Sequence, residues 1–219
     1  MQMATRKIVL SVGFVLIALL AAPTTVLAVG FGANFTYGYR TGTLGDVDDF
    51  FPDIDWTSND ISVGFTLDTA VASDRVFNYR MNLNYEHGIV EFNDSGDTVG
   101  SNGMAMDHIF GFGIIRTRSM RFWLGPAIRI AVAGIDDKGV DAIEADFGVG
   151  GVMGLNLHMG DAMSAGMTFG YQYNGSIFAF ESFSGASGLD FLHTGGLHRI
   201  SVGVTILFRS GGDVWEPRH

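Results

Sequence analysis

Histidines stand at His87, His108, His158, His193, His198 and His219, and cysteine is absent from this 219-residue chain. Without cysteine there is no thiol nucleophile, no disulfide, no cysteine metal site and no lipid-modified cysteine. A serine hydrolase needs its serine and histidine within hydrogen-bond reach. His198 lies three residues before Ser201. That spacing puts the two on opposite faces of one strand. The histidines are therefore expected at interfaces or in loops, and no catalytic residue is assigned. Carboxylates crowd one stretch at Asp46, Asp48, Asp49, Asp53, Asp55 and Asp60. Hard cations take oxygen ligands, so the first five are the metal candidates. Asp46-Val47-Asp48-Asp49 lacks the glycine and final glutamate of an EF-hand loop. A solvated acidic loop is expected there, with no cofactor and no metal.

The remaining charges recur in another way. Arg40, Asp68, Arg80, Glu86, Asp107, Arg129, Glu144, Asp146 and Arg199 each sit where every second residue is small or polar. Side chains alternate faces along a strand, so period two separates the chain into two lists. In the last stretch Ile200, Val202, Val204, Ile206 and Phe208 face one way, and Arg199, Ser201, Gly203 and Thr205 the other. The alternation predicts strands over 29–40, 60–70, 76–91, 104–116, 120–133, 142–158, 163–176 and 196–208. Short connections (71–75, 117–119, 159–162) alternate with longer ones (41–59, 92–103, 134–141, 177–195). The apolar list includes Phe31, Phe35, Tyr37, Tyr39, Met81, Tyr85, Phe112, Phe147, Tyr171 and Tyr173. The polar list holds the nine charges above with Asn34, Asn78, Asn82, Asn84, Asn156 and Gln172. Apolar groups outward and polar groups inward, over about eight strands, describe a transmembrane barrel. Eight strands leave an interior only wide enough for side chains, so the inward charges must pair as a lumen network.

The ends of the chain agree. Arg6 and Lys7 precede an uncharged run from Ile8 to Leu20, and Val26-Leu27-Ala28 offers a cleavage site. Residues 1–28 are read as a signal peptide, 29–208 as the barrel and 209–219 as a short periplasmic tail. No later run reaches the ~20 apolar residues of a spanning helix, although 47% of the chain is hydrophobic and only 16% charged. Loss of Arg6 and Lys7 leaves eleven basic against twenty-three acidic residues, a balance that repels nucleic acid.

Ser201-Val202-Gly203-Val204-Thr205-Ile206-Leu207-Phe208 resembles the last-strand assembly signal of bacterial outer-membrane barrels, carried by Ser201, Gly203, Ile206 and Phe208. Phe122-Trp123-Leu124-Gly125-Pro126-Ala127 and 147–157 resemble strands of the small eight-stranded superfamily that includes OmpA and OmpX. The resemblance implies an all-β, antiparallel up-and-down barrel in the bacterial outer membrane, inserted by the barrel-assembly machinery. Its implied surroundings are outer-membrane lipid and lipopolysaccharide, and divalent cations bridging the acidic loop to lipopolysaccharide phosphates are the sharper reading of that loop. The eleven residues after Phe208 are too few for the peptidoglycan-binding domain that follows the OmpA barrel. The lipid A deacylase barrels carry His, Ser and Glu on their outer face; no matching His-x-Ser spacing occurs here. The expected role is that of a monomer with a filled polar interior, structural or surface-interactive through its outer loops. A narrow channel or carrier for small or apolar molecules is the alternative, and a lipid-modifying enzyme a third. Phe178, Phe180, Phe183, Phe191 and Leu192 in the fourth loop are either a contact patch or rings packed between extended strands. Phe208→Ala is expected to lower the outer-membrane level of the protein while deletion of 210–219 does little, measured by fractionation and immunoblotting. The reverse result would move the signal into the tail.

Overall fold

The computed structural model describes residues 29–46, 53–71, 75–93, 95–137, 140–181 and 189–210. The proposed leader, Asp48, Asp49, Phe183 and 211–219 lie outside the described residues. Eight strands follow one another: β1 (Val29–Asp46), β2 (Ile54–Asp68), β3 (Phe77–Phe92), β4 (Thr98–Arg116), β5 (Met120–Asp137), β6 (Val140–Met159), β7 (Met163–Glu181) and β8 (Leu189–Ser210). Each pairs antiparallel with its sequence neighbours, and β1 with β8, to close a barrel.

Closure fixes the geometry. Followed across the ladders, Phe31 leads to Leu67, Met81, His108, Ile128, Val149, Tyr173 and His198, and returns to β1 at Thr41, ten residues from its start. Eight strands with that stagger tilt by about 40° and leave little free cross-section. Outward positions form an apolar belt. Phe31 and Phe208 pack at 6.4 Å between ring centroids, and Phe77 and Phe112 at 5.8 Å, on the turn side. Tyr37, Tyr39, Tyr85, Tyr171 and Tyr173 ring the loop side. Along β1 the belt from Phe31 to Tyr39 is roughly 20 Å tall at a rise of ~3.3 Å per residue and that tilt. This is near the ~25 Å apolar band of membrane barrels, with aromatic rings at both rims. Met81 keeps its outward parity but is buried, flanked in register by Leu67 and His108.

The strands outrun the sequence reading on the loop side. β1 continues to Asp46 rather than residue 40, β2 starts at Ile54 rather than 60, and β7 and β8 extend to Glu181 and from Leu189. β8 also runs to Ser210, so Arg209 and Ser210 belong to the barrel, not to a tail. The extra residues form a collar above the tyrosine ring. Inside it Leu44, Trp56, Val90, Ile135, Ala142, Phe178 and Leu197 make a buried apolar cluster. Phe178 is thus an inward β7 residue set edge-on to Trp56 at 6.1 Å, not an exposed loop residue. Asp60, counted with the acidic stretch, lies on β2 and faces inward.

Face assignment makes a test. Val204 is 49% exposed on the belt and Thr205 only 5% exposed in the lumen. Val204→Arg should destabilise the barrel by about 2–4 kcal/mol, the cost of a cation near mid-membrane. Unfolding titrations in lipid vesicles measure it, and Thr205→Ser should lie within error of the parent. Equal stability of Val204→Arg and the parent would invert the faces.

Candidate functional site

The candidate site is the lumen itself, and its side chains stack in layers along the barrel axis. At the turn end Arg80 donates from Nε to Asp68 Oδ2 at 2.9 Å and from Nη2 to Asn156 Oδ1 at 2.9 Å. Arg121 Nη2 reaches Asn78 Oδ1 and the Val76 carbonyl, both at 3.2 Å. The Arg80 guanidinium lies 4.8 Å from the Trp123 ring centre, a cation–π contact inside the barrel. Trp123 packs with Ile109 and Ala127. Its indole fits because residue 154 is glycine: a Cβ there would stand 2.3 Å from the ring. Asn34, Thr66 and Asn82 then bridge the wall as a neutral chain, Asn34 Nδ2 to Thr66 Oγ1 at 2.9 Å and Thr66 Oγ1 to Asn82 Oδ1 at 2.8 Å.

The central layers hold most of the charge. Arg129 donates to Glu86 and, at 3.4 Å, to Asp107. Glu86 also accepts from Arg199 Nη2 at 3.3 Å, and Gln172 links Arg199 to Asp107 at 3.4 Å on each side. Arg40 alone meets three carboxylates: Asp60 at 2.8 Å, Glu144 at 2.8 Å and Asp146 at 3.3 Å. Ser58 donates to Asp60 at 2.7 Å and Ser176 to Asp146 at 2.6 Å, so hydroxyls carry part of the load. Arg40 and Arg199 are direct register partners, two cations side by side. They separate because Arg199 turns over Gly38, where an added Cβ would lie 3.1 Å from its Nη2, while Arg40 turns toward Trp56, 5.3 Å from the ring centre.

A cavity of about 10 Å³ lies between Arg40, Asp60, Glu86, Glu144 and Asp146, with Ser101 on its wall. That is room for about one water. Glu144 Oε2 is buried there without a hydrogen-bond partner.

The structure brings Arg40, Asp68, Arg80, Glu86, Asp107, Arg129, Glu144, Asp146 and Arg199 into this one lumen. Sequence reasoning missed Asp60, Arg121, Trp56 and Trp123 as inward residues. The signal for Arg121 and Trp123 was present, since they share parity with Arg129. Of the acidic stretch, Asp55 accepts from Thr43 Oγ1 at 2.7 Å on the outer wall and Asp53 is exposed. Asp46 ends β1. Among the described residues no group of three His, Asp or Glu side chains is placed to hold a metal ion. In the last strand Ser201 and Gly203 face inward and Ile206 and Phe208 outward. Gly203 sits where a Cβ would meet the Thr168 and Thr36 hydroxyls at 2.8 and 2.9 Å.

Among the described residues, His198 and His158 do not complete a hydrolase triad. His198 Nδ1 is 2.7 Å from the Tyr171 hydroxyl on the outer face, away from Ser201. A serine–histidine contact does occur, His158 Nδ1 to Ser164 Oγ at 3.0 Å. Ser164 is fully buried, and His158 Nε2 has no carboxylate to orient it. It lacks both access and the third member.

No protein-family model matches the chain, and no curated protein is similar to it in sequence. Solved structures share its shape. The outer membrane protein OprG from Pseudomonas aeruginosa aligns with a TM-score of 0.56 at 10% identity, over 82% of this chain and 96% of that one. The outer membrane protease OmpT from Escherichia coli aligns at 0.51 and 5% identity, over 85% and 99%. The fold is that of the outer-membrane β-barrels.

Arg129→Ala should leave Asp107 with no cation and Glu86 with Arg199 alone, and cost about 3–5 kcal/mol, as breaking a buried pair does. Arg80→Ala should cost a similar amount at the other end, and the double variant should show near-additive losses in denaturant unfolding because the two layers share no partner. Strong coupling between them would mean one continuous network instead.

Proposed function

We propose that this outer-membrane barrel is a closed, non-conducting scaffold that presents its collar and loops at the cell surface. The observation that carries the reading is the filled lumen. Three charged layers, a neutral hydrogen-bonded layer and two apolar clusters occupy it. The cavity among Arg40, Glu86 and Glu144 has room for a water and no more. An ion crossing this interior would have to break charge pairs in a medium of low dielectric, which is costly unless they re-pair. A closed barrel with strands extended into a collar suits the display of loops. Outer-membrane lipid and lipopolysaccharide are its expected surroundings, and the barrel-assembly machinery its expected route of insertion.

One observation favours a second reading. The upper lumen is apolar, lined by Leu44, Trp56, Val90, Phe178 and Leu197. If the collar parted there, the chain would offer an apolar entrance, and it would be a carrier for small apolar molecules. An enzymatic role has less support, since the described Ser164–His158 pair is buried and incomplete. Incubation with lipopolysaccharide followed by mass spectrometry should leave the lipid unchanged.

Planar-bilayer recordings decide between the first two readings. The parent protein should show no steady conductance, and Arg129→Ala should show brief openings. A large stable conductance in the parent would put the channel reading first.

A further inference from the structure

The outer surface is lopsided above the tyrosine ring. On β1 and β2 the outward residues beyond the ring are Thr41, Thr43, Thr57 and Asp55, with Thr43 Oγ1 bonded to Asp55 at 2.7 Å. These are collar residues meeting water. On β5 to β7 the outward positions stay apolar well past the ring. Val132 pairs with Ala145 and Ala145 with Ile177, while Phe147 pairs with Gly175 and Gly134 with Ile143. Phe147 is 56% exposed, Ile177 49% and Ile143 38%, comparable with lipid-facing Val204 at 49%. Ile177 lies four residues beyond Tyr173, roughly 10 Å higher at the rise and tilt above.

This flank joins the membrane belt without a break. Below Phe147 on the same face come Val149, Gly151 and Met153, all exposed and none polar. A protein-binding patch carries a polar rim around its apolar centre. Here the membrane side of the patch has no rim, and the apolar surface runs on into lipid-facing residues. An apolar stretch taller on one side than the other is accommodated by tilting the protein or thickening the bilayer locally.

We propose that the acyl chains of the loop-side leaflet climb the β5–β7 flank and cover Ile143, Ala145, Phe147 and Ile177, so that lipid stands higher there than on the β1–β2 side. The occupant is a long-chain membrane lipid, and the flank is a lipid-seating surface on one side of the collar. The inference is independent of whether the lumen conducts.

The absence of cysteine makes the test direct, because a single introduced thiol is the only one to label. Ile177→Cys, Thr43→Cys and Met167→Cys are each labelled with a small fluorophore and placed in phosphatidylcholine vesicles containing acyl-brominated phosphatidylcholine. The label at Ile177 should be quenched by the brominated chains to the same extent as that at Met167, and be shielded from aqueous iodide. The label at Thr43 should show the opposite pattern. If Ile177 behaves like Thr43, the flank is wet and the proposal fails. If its shielding from iodide appears only as the protein-to-lipid ratio rises, a second copy covers the flank and the proposal also fails.

Discussion

Everything in this molecule follows from closing eight strands with a ten-residue stagger. Closure lets neighbouring strands satisfy one another's backbone groups without water, which is the condition for crossing a bilayer. It also makes the interior too narrow for solvent to solvate charges freely. Inward ionic groups then have two ways to exist, paired or neutral, and the lumen shows pairing at nearly every level. The arginines suit this role because one guanidinium offers five donors in a fixed plane. Arg40, with three carboxylates around it, uses that capacity most fully. The glycines at 38 and 154 are the other half of the arrangement, since they vacate the space that Arg199 and Trp123 fill.

The belt and its faces were legible because period two is unambiguous where lipid lies outside and polar groups inside. Val204 and Thr205, or Phe31 and Asn34, announce their sides by type alone. On β1 and β2 the code inverts above the tyrosine ring. Thr41 and Thr43 face water while Leu44 faces the lumen; Asp55 and Thr57 face out while Trp56 faces in. A reader expecting apolar residues outside sees the pattern dissolve at residue 40 and assigns a loop. The strand continues, but the solvent has changed. Asp60 and Phe178 were hidden by residue type, an acid counted with the acidic stretch and a ring counted with the fourth loop, although their parity matches Asp68 and Gln172 on their strands.

Ion-pair partners were less legible than faces. Alternation gives the sign and side of each charge but not its height, and height depends on the stagger. Arg40 and Arg199 are adjacent across the β1–β8 seam, which no pattern along one strand can reveal. Nor could sequence foresee that Glu86 would be shared by Arg129 and Arg199, because the shared acid is approached from two different strands.

Charge is not spread evenly along the lumen. Around Glu86 and Asp107 two arginines meet two acids, whereas Arg40 meets three acids by itself. The cavity and the unpartnered Glu144 oxygen both fall in that acid-rich layer. Directly above it the apolar cluster around Trp56 begins, with the Arg40 guanidinium against the indole. Arg40 therefore joins the lumen's ionic part to its apolar part. Its loss would release three carboxylates at once and remove the cation beneath the cap. Removal of Arg80 at the far end would free one carboxylate, Asp68. At the turn end the imbalance has the other sign, because Arg80 and Arg121 share a layer with one acid, Asp68, and Trp123 fills the space beside Arg80. The boundary between Arg40 and Trp56 is therefore where the acid excess, the cavity and the apolar cap meet.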